Sequence, residues 1–289
     1  MDNILKRYCS RHHIVLQKGE NVRILMTLAW NKVLLLKLRL HKWIRGIHHP
    51  VVHYYTVCWN EEKILPFMFD HYGQFVDRFI IYDNGSTDSS HSIITDCPFA
   101  KLIQFETEGF DDIAHQKIKN NCWKRSRGKA DFVIVCDIDE FLYHPDLQGY
   151  LRDCVRKGVS LPVTEGYNMF SETFPKAGIS FIQQVRKGVP DSHYSKSIIF
   201  DPHRIVEINY NAGAHVASPL GVVRNAEKPL KVLHYKNLGL DYVLDRSHTL
   251  GGRLSEHNKK NNLGVHYLSS DETIVAEFNE NMARCQIVL

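Results

Sequence analysis

The chain has 289 residues, 44% of them hydrophobic and 11% aromatic, and a formal net charge of +4 at pH 7. This length and composition are those of a globular protein with a full core, and they exclude a disordered or low-complexity chain. The small net charge does not favour nucleic-acid binding. The excess of Lys and Arg lies before residue 50, where the only acids are Asp2 and Glu20.

Residues 1–49 are predicted to form a basic N-terminal extension. Ile24 through Ile47 mixes Leu, Ile and Val with two Trp and five Lys or Arg, in an imperfect helical phase. One interpretation is an interfacial amphipathic helix, with an anionic membrane surface binding residues 1–48. The other is a helix, or a pair of helices, packed against the domain.

The cysteine spacing and the hydropathy of the chain indicate in which cellular compartment the protein works. Seven cysteines are scattered along the chain without a Cys-x-x-Cys pair, which favours reduced thiols over a disulfide scaffold or a zinc ribbon. The most apolar stretch, 22–40, contains four basic residues, so we expect neither a membrane span nor a secretory signal. These features predict a cytoplasmic protein, peripheral at the inner membrane.

Residues 50–289 are predicted to form one α/β domain with a doubly wound, mostly parallel sheet. Short apolar runs alternate with helical stretches, which is typical of strands joined by crossover helices. The predicted strands are 53–59, 78–82, 101–106 and 131–136, and the predicted helices are 61–72, 89–95 and 112–127. Ligand sites in such sheets lie at the carboxyl ends of the strands.

The half from 146 to 289 is less regular and is expected to bind the acceptor. Strands are predicted at 159–163, 197–200, 205–208 and 230–234, and we expect them to complete the same sheet. Helices are predicted from 241 to about 258 and again from about 271.

An acidic motif follows the fourth predicted strand: Asp137-Ile138-Asp139-Glu140-Phe141. Side chains two apart on a strand share a face, so Asp137 and Asp139 can point together. Two carboxylates held that close repel each other unless a cation lies between them. All-oxygen ligation of this kind favours Mg²⁺ or Mn²⁺.

Three motifs in order carry a family resemblance. They are Thr56-Val57-Cys58-Trp59-Asn60-Glu61-Glu62, Ile80-Ile81-Tyr82-Asp83-Asn84-Gly85-Ser86-Thr87-Asp88, and Val135 through Leu142. Residues 53 to about 145 are similar to the nucleotide-sugar-binding half of family 2 glycosyltransferases, and the Asp-Ile-Asp-Glu-Phe variant resembles the related family 92 type more closely. The resemblance implies a GT-A fold, with the nucleotide-sugar donor bound by residues 50–145.

The resemblance also implies roles for residues near the first two strands. Asp83 would accept hydrogen bonds from the base or ribose of the donor, and the alternative is a turn residue that binds its own backbone. Asn60 and Glu61 would lie beside the same pocket, with Asn60 as a helix cap as the alternative.

In the helix before the fourth strand, the family places polar side chains that contact the donor. Gln116, Lys119 and Asn121 occupy that stretch here, and Lys119 would meet phosphate. Asn120 and Asn121 are not separable by sequence, and an exposed Lys on an amphipathic helix is usually only solvated.

The acidic motif matches the family's Asp-x-Asp. By that match Asp139 would bind the metal directly and Asp137 would hold ribose or a metal-bound water, so that the ion neutralises the leaving nucleotide. His234 is the expected further ligand from the second half, with His215 as the second choice.

Inverting transfer of a hexosyl group needs a carboxylate base for the acceptor hydroxyl. The Glu-Asp pair usual in family 2 is missing at its place, which leaves the base and the stereochemistry open. Glu165 and Asp191 are the candidates from the predicted acceptor half.

The expected function is therefore metal-dependent transfer from a nucleotide sugar, a UDP-sugar in view of the family, to a glycan or glycolipid acceptor. By analogy with the family, the pathway would be synthesis of bacterial surface polysaccharide or lipopolysaccharide. Two alternatives stay open: a sugar-nucleotide nucleotidyltransferase, and a non-catalytic membrane-associated scaffold that binds glycans.

Overall fold

The computed structural model describes residues 2–289. The helices are α1 (Asp2–Arg11), α2 (Asn21–Arg45), α3 (Leu65–Tyr72), α4 (Ser90–Asp96), α5 (Asp112–Asn121), α6 (Leu147–Lys157), α7 (Phe181–Gln184), α8 (Leu240–Gly252), α9 (Glu256–Lys260) and α10 (Asp271–Arg284). The strands are β1 (Ile14–Val15), β2 (Val52–Cys58), β3 (Arg78–Asp83), β4 (Ala100–Gln104), β5 (Phe132–Val135), β6 (Glu140–Tyr143), β7 (Thr164–Ser171), β8 (Lys187–Pro190), β9 (Ile199–Phe200), β10 (Ile205–Glu207), β11 (Leu220–Val222), β12 (Leu230–Leu238) and β13 (Gln286–Ile287).

A parallel sheet organises the first half of the chain. Its order is β4-β3-β2-β5-β9, with β2 to β5 paired in parallel and β9 added antiparallel at the edge. Tyr54 and Ile134 are buried in one core cluster, and Tyr55 and Val133 in another, so both faces of the sheet are covered. Burial on both faces explains the almost continuous apolar runs. The predicted fold class is confirmed.

A second, separate sheet is formed by the later strands, in the order β13-β8-β7-β12-β6. Strands β7 and β12 are parallel and their other pairings are antiparallel. The expectation that the later strands complete the first sheet is therefore wrong, except for β9. Residues 159–163 are not a strand, because Pro162 has no N–H to give to a ladder and the strand begins only at Thr164.

Several helix boundaries differ from the predicted ones. Helix α3 begins at Leu65 rather than at 61, with a proline in its first turn, where proline is tolerated. The predicted helix 241–258 is two helices. The break lies where the N–H of Phe110 donates to the carbonyl of Arg253 at 2.6 Å, which draws the chain out of the helical path.

Helix α2 is the main element before the parallel sheet. It ends at Gly46, whose left-handed φ of 64° lets the chain close the helix with bonds to the carbonyls of Lys42 and Trp43. Ile24 and Leu28 pack against the sheet formed by β1, β10 and β11. Within residues 2–289, no helix combines the length and the apolar character needed to cross a membrane.

Candidate active site

A cleft of about 460 Å³ opens at the carboxyl ends of β2 and β5, where the acidic motif turns into β6. Asp137 and Asp139 lie on its wall, as expected for side chains that follow a central parallel strand. Strand β12, from the second sheet, pairs with β6 and places His234 opposite Glu140. The cleft is therefore built where the two sheets meet.

Two lysines neutralise Asp137. Its Oδ1 lies 2.6 Å from Nζ of Lys119 and its Oδ2 lies 3.6 Å from Nζ of Lys196. Burial alone would raise the pKa of Asp137, but the two ammonium groups outweigh burial and hold the pKa below its ordinary value. The carboxylate is therefore ionised at neutral pH, and both lysine side chains are buried beside it.

Glu140 shares Lys196 with Asp137. Oε1 of Glu140, a residue only 1% exposed, lies 2.5 Å from Nζ of Lys196, and its Oε2 accepts from the backbone N–H of Asp137 at 3.1 Å. Burial acts to lower the pKa of Lys196, but the carboxylates of Glu140 and Asp137 raise it above the ordinary value. The two carboxylates of Asp137 and Glu140 thus face two ammonium groups, and of these four side chains only that of Asp137, at 39% exposure, is not buried.

Asp139 belongs to a chain of polar contacts that runs into the second sheet. Oδ2 of Asp139 lies 3.4 Å from Nε2 of His234, and Nδ1 of His234 lies 2.8 Å from Oδ1 of Asn168. The amide nitrogen of Asn168 donates to Oδ2 of Asp191 at 2.7 Å, which fixes the orientation of the amide. Oδ1 of Asn168 therefore accepts from Nδ1–H of His234.

This assignment bears on metal binding. With the proton of a neutral ring on Nδ1, Nε2 of His234 turns a lone pair toward the carboxylate of Asp139. A carboxylate and an imidazole nitrogen facing each other as acceptors fit a divalent cation between them, with the outer bond of the imidazole fixing its direction. No group of three or more His, Cys, Asp or Glu side chains within residues 2–289 is arranged as a metal site. Asp139 and His234 therefore suit a cation whose remaining ligands would come from substrate and water.

Glu61 also lines the cleft and is paired with Arg246 of α8. Burial raises the pKa of Glu61 to about 7, although the Arg246 guanidinium opposes the shift. The same guanidinium donates to the backbone carbonyl of Asn60 at 3.2 Å. Helix α8 is thereby fastened to the segment that follows β2.

Of the three residues predicted on the helix before β5, two line the cleft. Lys119 is one, and Gln116 is the other, with its Nε2 donating to the carbonyl of Tyr210 at 2.7 Å. Asn121 does not reach the cleft, because its exposed amide donates to the carbonyl of Lys117 one turn back. The amide of its neighbour Asn120 donates to the carbonyl of Tyr210 and accepts from the backbone N–H of the same residue.

Asp83 and Asn60 do not lie on the cleft wall. Asp83 is buried, and its carboxylate accepts from Oγ of Ser86 at 2.5 Å and from the backbone N–H of Ser86 at 3.2 Å, which is the turn alternative. Asn60 has φ of 50° and accepts from the N–H of Thr87, so it joins two turns and does not cap α3.

The two predicted base candidates lie outside the cleft. Glu165 is exposed on β7, because strand alternation turns it to the face opposite Asn168, and its carboxylate lies 3.4 Å from the hydroxyl of Tyr167. Asp191 lines a neighbouring cavity of about 380 Å³, which shares Tyr194 and other wall residues with the cleft.

Sequence reasoning missed several residues of the cleft. The imidazole of His115 has a buried Nε2 that meets no partner in residues 2–289, and burial lowers its pKa to about 4. Tyr194 stacks on His234 with ring centroids 3.9 Å apart. Lys196 and Arg246 come from segments 59 and more than 100 residues after Asp137, so no local pattern marks them.

Solved structures of two proteins have a distant likeness to this chain. One crystal structure of S. aureus TarS has 14% sequence identity to this chain, covers 80% of this chain and 43% of its own, and has a TM-score of 0.41. A second, of TarS residues 1–349 in complex with UDP-GlcNAc, has 13% identity, covers 79% of this chain and 71% of its own, and has a TM-score of 0.42. Glucosyl-3-phosphoglycerate synthase from Mycobacterium tuberculosis, with Mn²⁺ and UDP, matches at 18% over 40% and 44%, with 0.29. A likeness this distant indicates nothing about substrate.

No curated protein sequence matches the chain. The profile of Glycosyltransferase family 92, in contrast, matches residues 53–282, which include the parallel sheet, the acidic motif and the second sheet up to α10. The resemblance carried by the three sequence motifs is confirmed, and the chain belongs to glycosyltransferase family 92.

Proposed function

We propose that this protein transfers a sugar from a nucleotide sugar to a hydroxyl group of a glycan or glycolipid, with a divalent cation, Mn²⁺ or Mg²⁺, bound beside the donor diphosphate. The observation that carries the proposal is that Asp139 and His234 face each other in one cleft, beside the buried side chains of Lys119 and Lys196. In the reaction, the acceptor oxygen bonds to the anomeric carbon, the bond from that carbon to phosphate oxygen breaks, and the nucleoside diphosphate leaves.

The charges of the cleft suit a diphosphate. Asp139 and His234 would hold the cation, which when bound neutralises charge on the leaving group. Lys119 and Lys196 offset the charges of Asp137 and Glu140, so these carboxylates repel the donor phosphates less. The unpartnered Nε2 of His115 offers one more polar contact to a ligand.

The acceptor is proposed to enter through the neighbouring cavity of about 380 Å³. It shares Tyr194, Lys236 and Arg246 with the cleft, so a hydroxyl bound there lies next to the donor site. Asp191 lines this cavity, which supports it over Glu165 as the base of an inverting hexosyl transfer. A growing bacterial surface glycan, such as lipopolysaccharide, is the acceptor class we propose from the family analogy.

Thermal stabilisation by a panel of nucleotide sugars, with and without Mn²⁺, tests the proposal. A donor at about a hundred times its Kd stabilises the fold by roughly 2.7 kcal/mol, which raises Tm by about 5 °C or more. UDP-sugars are the first donors to test, by analogy with the family. We expect a Mn²⁺-dependent shift with at least one donor, and Asp139→Asn should remove it. No shift with any donor would contradict the proposal.

Product analysis then separates the remaining possibilities. A transferase releases the nucleoside diphosphate from the donor, whereas a nucleotidyltransferase joins a sugar phosphate to a nucleoside triphosphate, forming the sugar nucleotide and releasing pyrophosphate. A glycan-binding scaffold does neither.

A further inference from the structure

Helix α2 has two apolar faces, and only one of them is packed. Ile24, Leu28 and Leu38 are buried on the side that faces the domain. The other face carries eight exposed large apolar side chains, which we call the outer stripe: Val22, Met26, Trp30, Val33, Leu36, Leu40, Trp43 and Ile44.

The outer stripe is continuous. Its members recur mostly three or four residues apart, so on a helix of 3.6 residues per turn they fall on one side, roughly opposite the buried face. Trp30 is 62% exposed and Trp43 is 80% exposed, near the middle and the end of the helix. Twenty-five residues make a helix of about 37 Å, and an apolar strip of that length is more than a soluble surface ordinarily leaves uncovered.

Positive charge flanks the outer stripe on both sides. By the same helical geometry Lys32 and Arg39 lie along one edge, and Arg23 and Lys37 along the other. The helix contains no Asp or Glu. Arg23 is paired with Glu20 and Glu207, but among the described side chains of residues 6–289 no carboxylate lies within salt-bridge distance of Lys32, Lys37 or Arg39.

We propose that α2 lies along the surface of an anionic lipid bilayer, with the outer stripe in the acyl boundary and its flanking cations at the lipid phosphates. Apolar residues with two Trp suit the boundary region, and cations along the edges of the helix are attracted to the phosphates of anionic lipid. A second copy of the chain would bring its own cations against these, and RNA would leave the apolar side chains in water. The charges therefore favour lipid as the occupant.

Vesicle cosedimentation with the full chain tests this inference. Wild-type protein should bind vesicles containing phosphatidylglycerol and should bind phosphatidylcholine vesicles far more weakly. Trp30→Ser/Trp43→Ser should weaken binding to the anionic vesicles by about tenfold or more. Lys32→Gln/Lys37→Gln/Arg39→Gln should weaken it by about a hundredfold, since each basic residue near the surface contributes roughly fivefold.

The matched control is Phe99→Ser, which removes an exposed aromatic residue outside α2 and should leave vesicle binding unchanged. No outer-stripe residue lines the cleft, and an unchanged circular dichroism spectrum and Tm report that the variants are folded whether or not the protein turns over a UDP-sugar. Failure of the wild type to bind anionic vesicles overturns the inference, as does equal binding by the double Trp variant.

Two other results overturn it as well. A dimer that the double Trp variant loses would make a second copy the occupant of the outer stripe. RNA retention that is sensitive to salt and lost on deleting residues 1–48 would make RNA the partner.

Discussion

Replacing Lys196 with methionine should destabilise the fold strongly. Its Nζ lies 2.5 Å from Oε1 of Glu140, and both side chains are almost fully buried. At an effective dielectric constant of about 20, unit charges at that distance attract by roughly 6–7 kcal/mol, much of it offset by the cost of burying them. Removing one partner leaves a buried, uncompensated carboxylate, at a cost of about 3–5 kcal/mol.

Equilibrium urea unfolding of the wild type and three variants measures this cost. Lys196→Met should lower the free energy of unfolding by about 3–5 kcal/mol, and Lys196→Met/Glu140→Gln should lower it by less, because the unpaired charge is gone. The matched control is Lys259→Met, which breaks an exposed pair with Glu256 and should cost under about 1 kcal/mol. The reasoning is refuted if Lys196→Met costs no more than Lys259→Met, or if adding Glu140→Gln brings no recovery.

Three further changes test other parts of the structure. Gly166→Ala should cost about 1–3 kcal/mol in urea unfolding, because a Cβ there would lie 2.3 Å from the carbonyl carbon of Tyr194, whereas Gly252→Ala, with open space around it, should be neutral or stabilising. Burial lowers the pKa of His71 to about 4 from 6.5, so unfolding takes up a proton and stability is lost as pH falls between these values. In His71→Phe the slope of unfolding free energy against pH in this range should decrease by the equivalent of about one proton. Asn168→Ala should weaken Mn²⁺ binding in the presence of UDP by about 10–100-fold, measured by calorimetry, since it frees the ring of His234, the metal ligand we propose, to turn. Unchanged affinity would contradict that proposed role.

The parallel sheet and the position of the acidic motif were predictable because their signals are local. Each strand from β2 to β5 is a short apolar run bounded by polar turns, and chain order alone places their carboxyl ends together. Asp137, Asp139 and Lys119 were therefore expected near one another, and all three line the cleft. His234 was predicted from its place near a strand end, and it lies on the cleft wall beside Asp139.

The second sheet was not predictable, since its pairings join distant segments. Strand β6 begins inside the acidic motif at Glu140 and pairs with β12 about ninety residues later. The exposure of Glu165 follows from the register of β7, which its sequence does not fix. Asp83 shows a different limit, because a carboxylate at a strand end serves a turn or a ligand equally well until its hydrogen bonds are known.

The imperfect helical phase of the N-terminal extension also has a physical explanation. Helix α2 is apolar on two opposite sides, and two stripes a half-turn apart cancel much of each other's periodicity. Only the packing of Ile24 and Leu28 on the sheet of β1, β10 and β11 shows which stripe faces the domain. Both interpretations of the sequence describe part of this helix: one face is packed, and we propose that the other meets lipid.

The central claim is that Asp139 helps to hold a cation against the diphosphate of a nucleotide sugar. Calorimetric titration of UDP with and without Mn²⁺, on wild-type protein and on Asp139→Asn, tests it most directly. We predict that Mn²⁺ strengthens UDP binding to the wild type by about tenfold or more, and that Asp139→Asn, folded by circular dichroism, loses that gain. A variant that keeps the full Mn²⁺-dependent gain in UDP affinity would contradict the account.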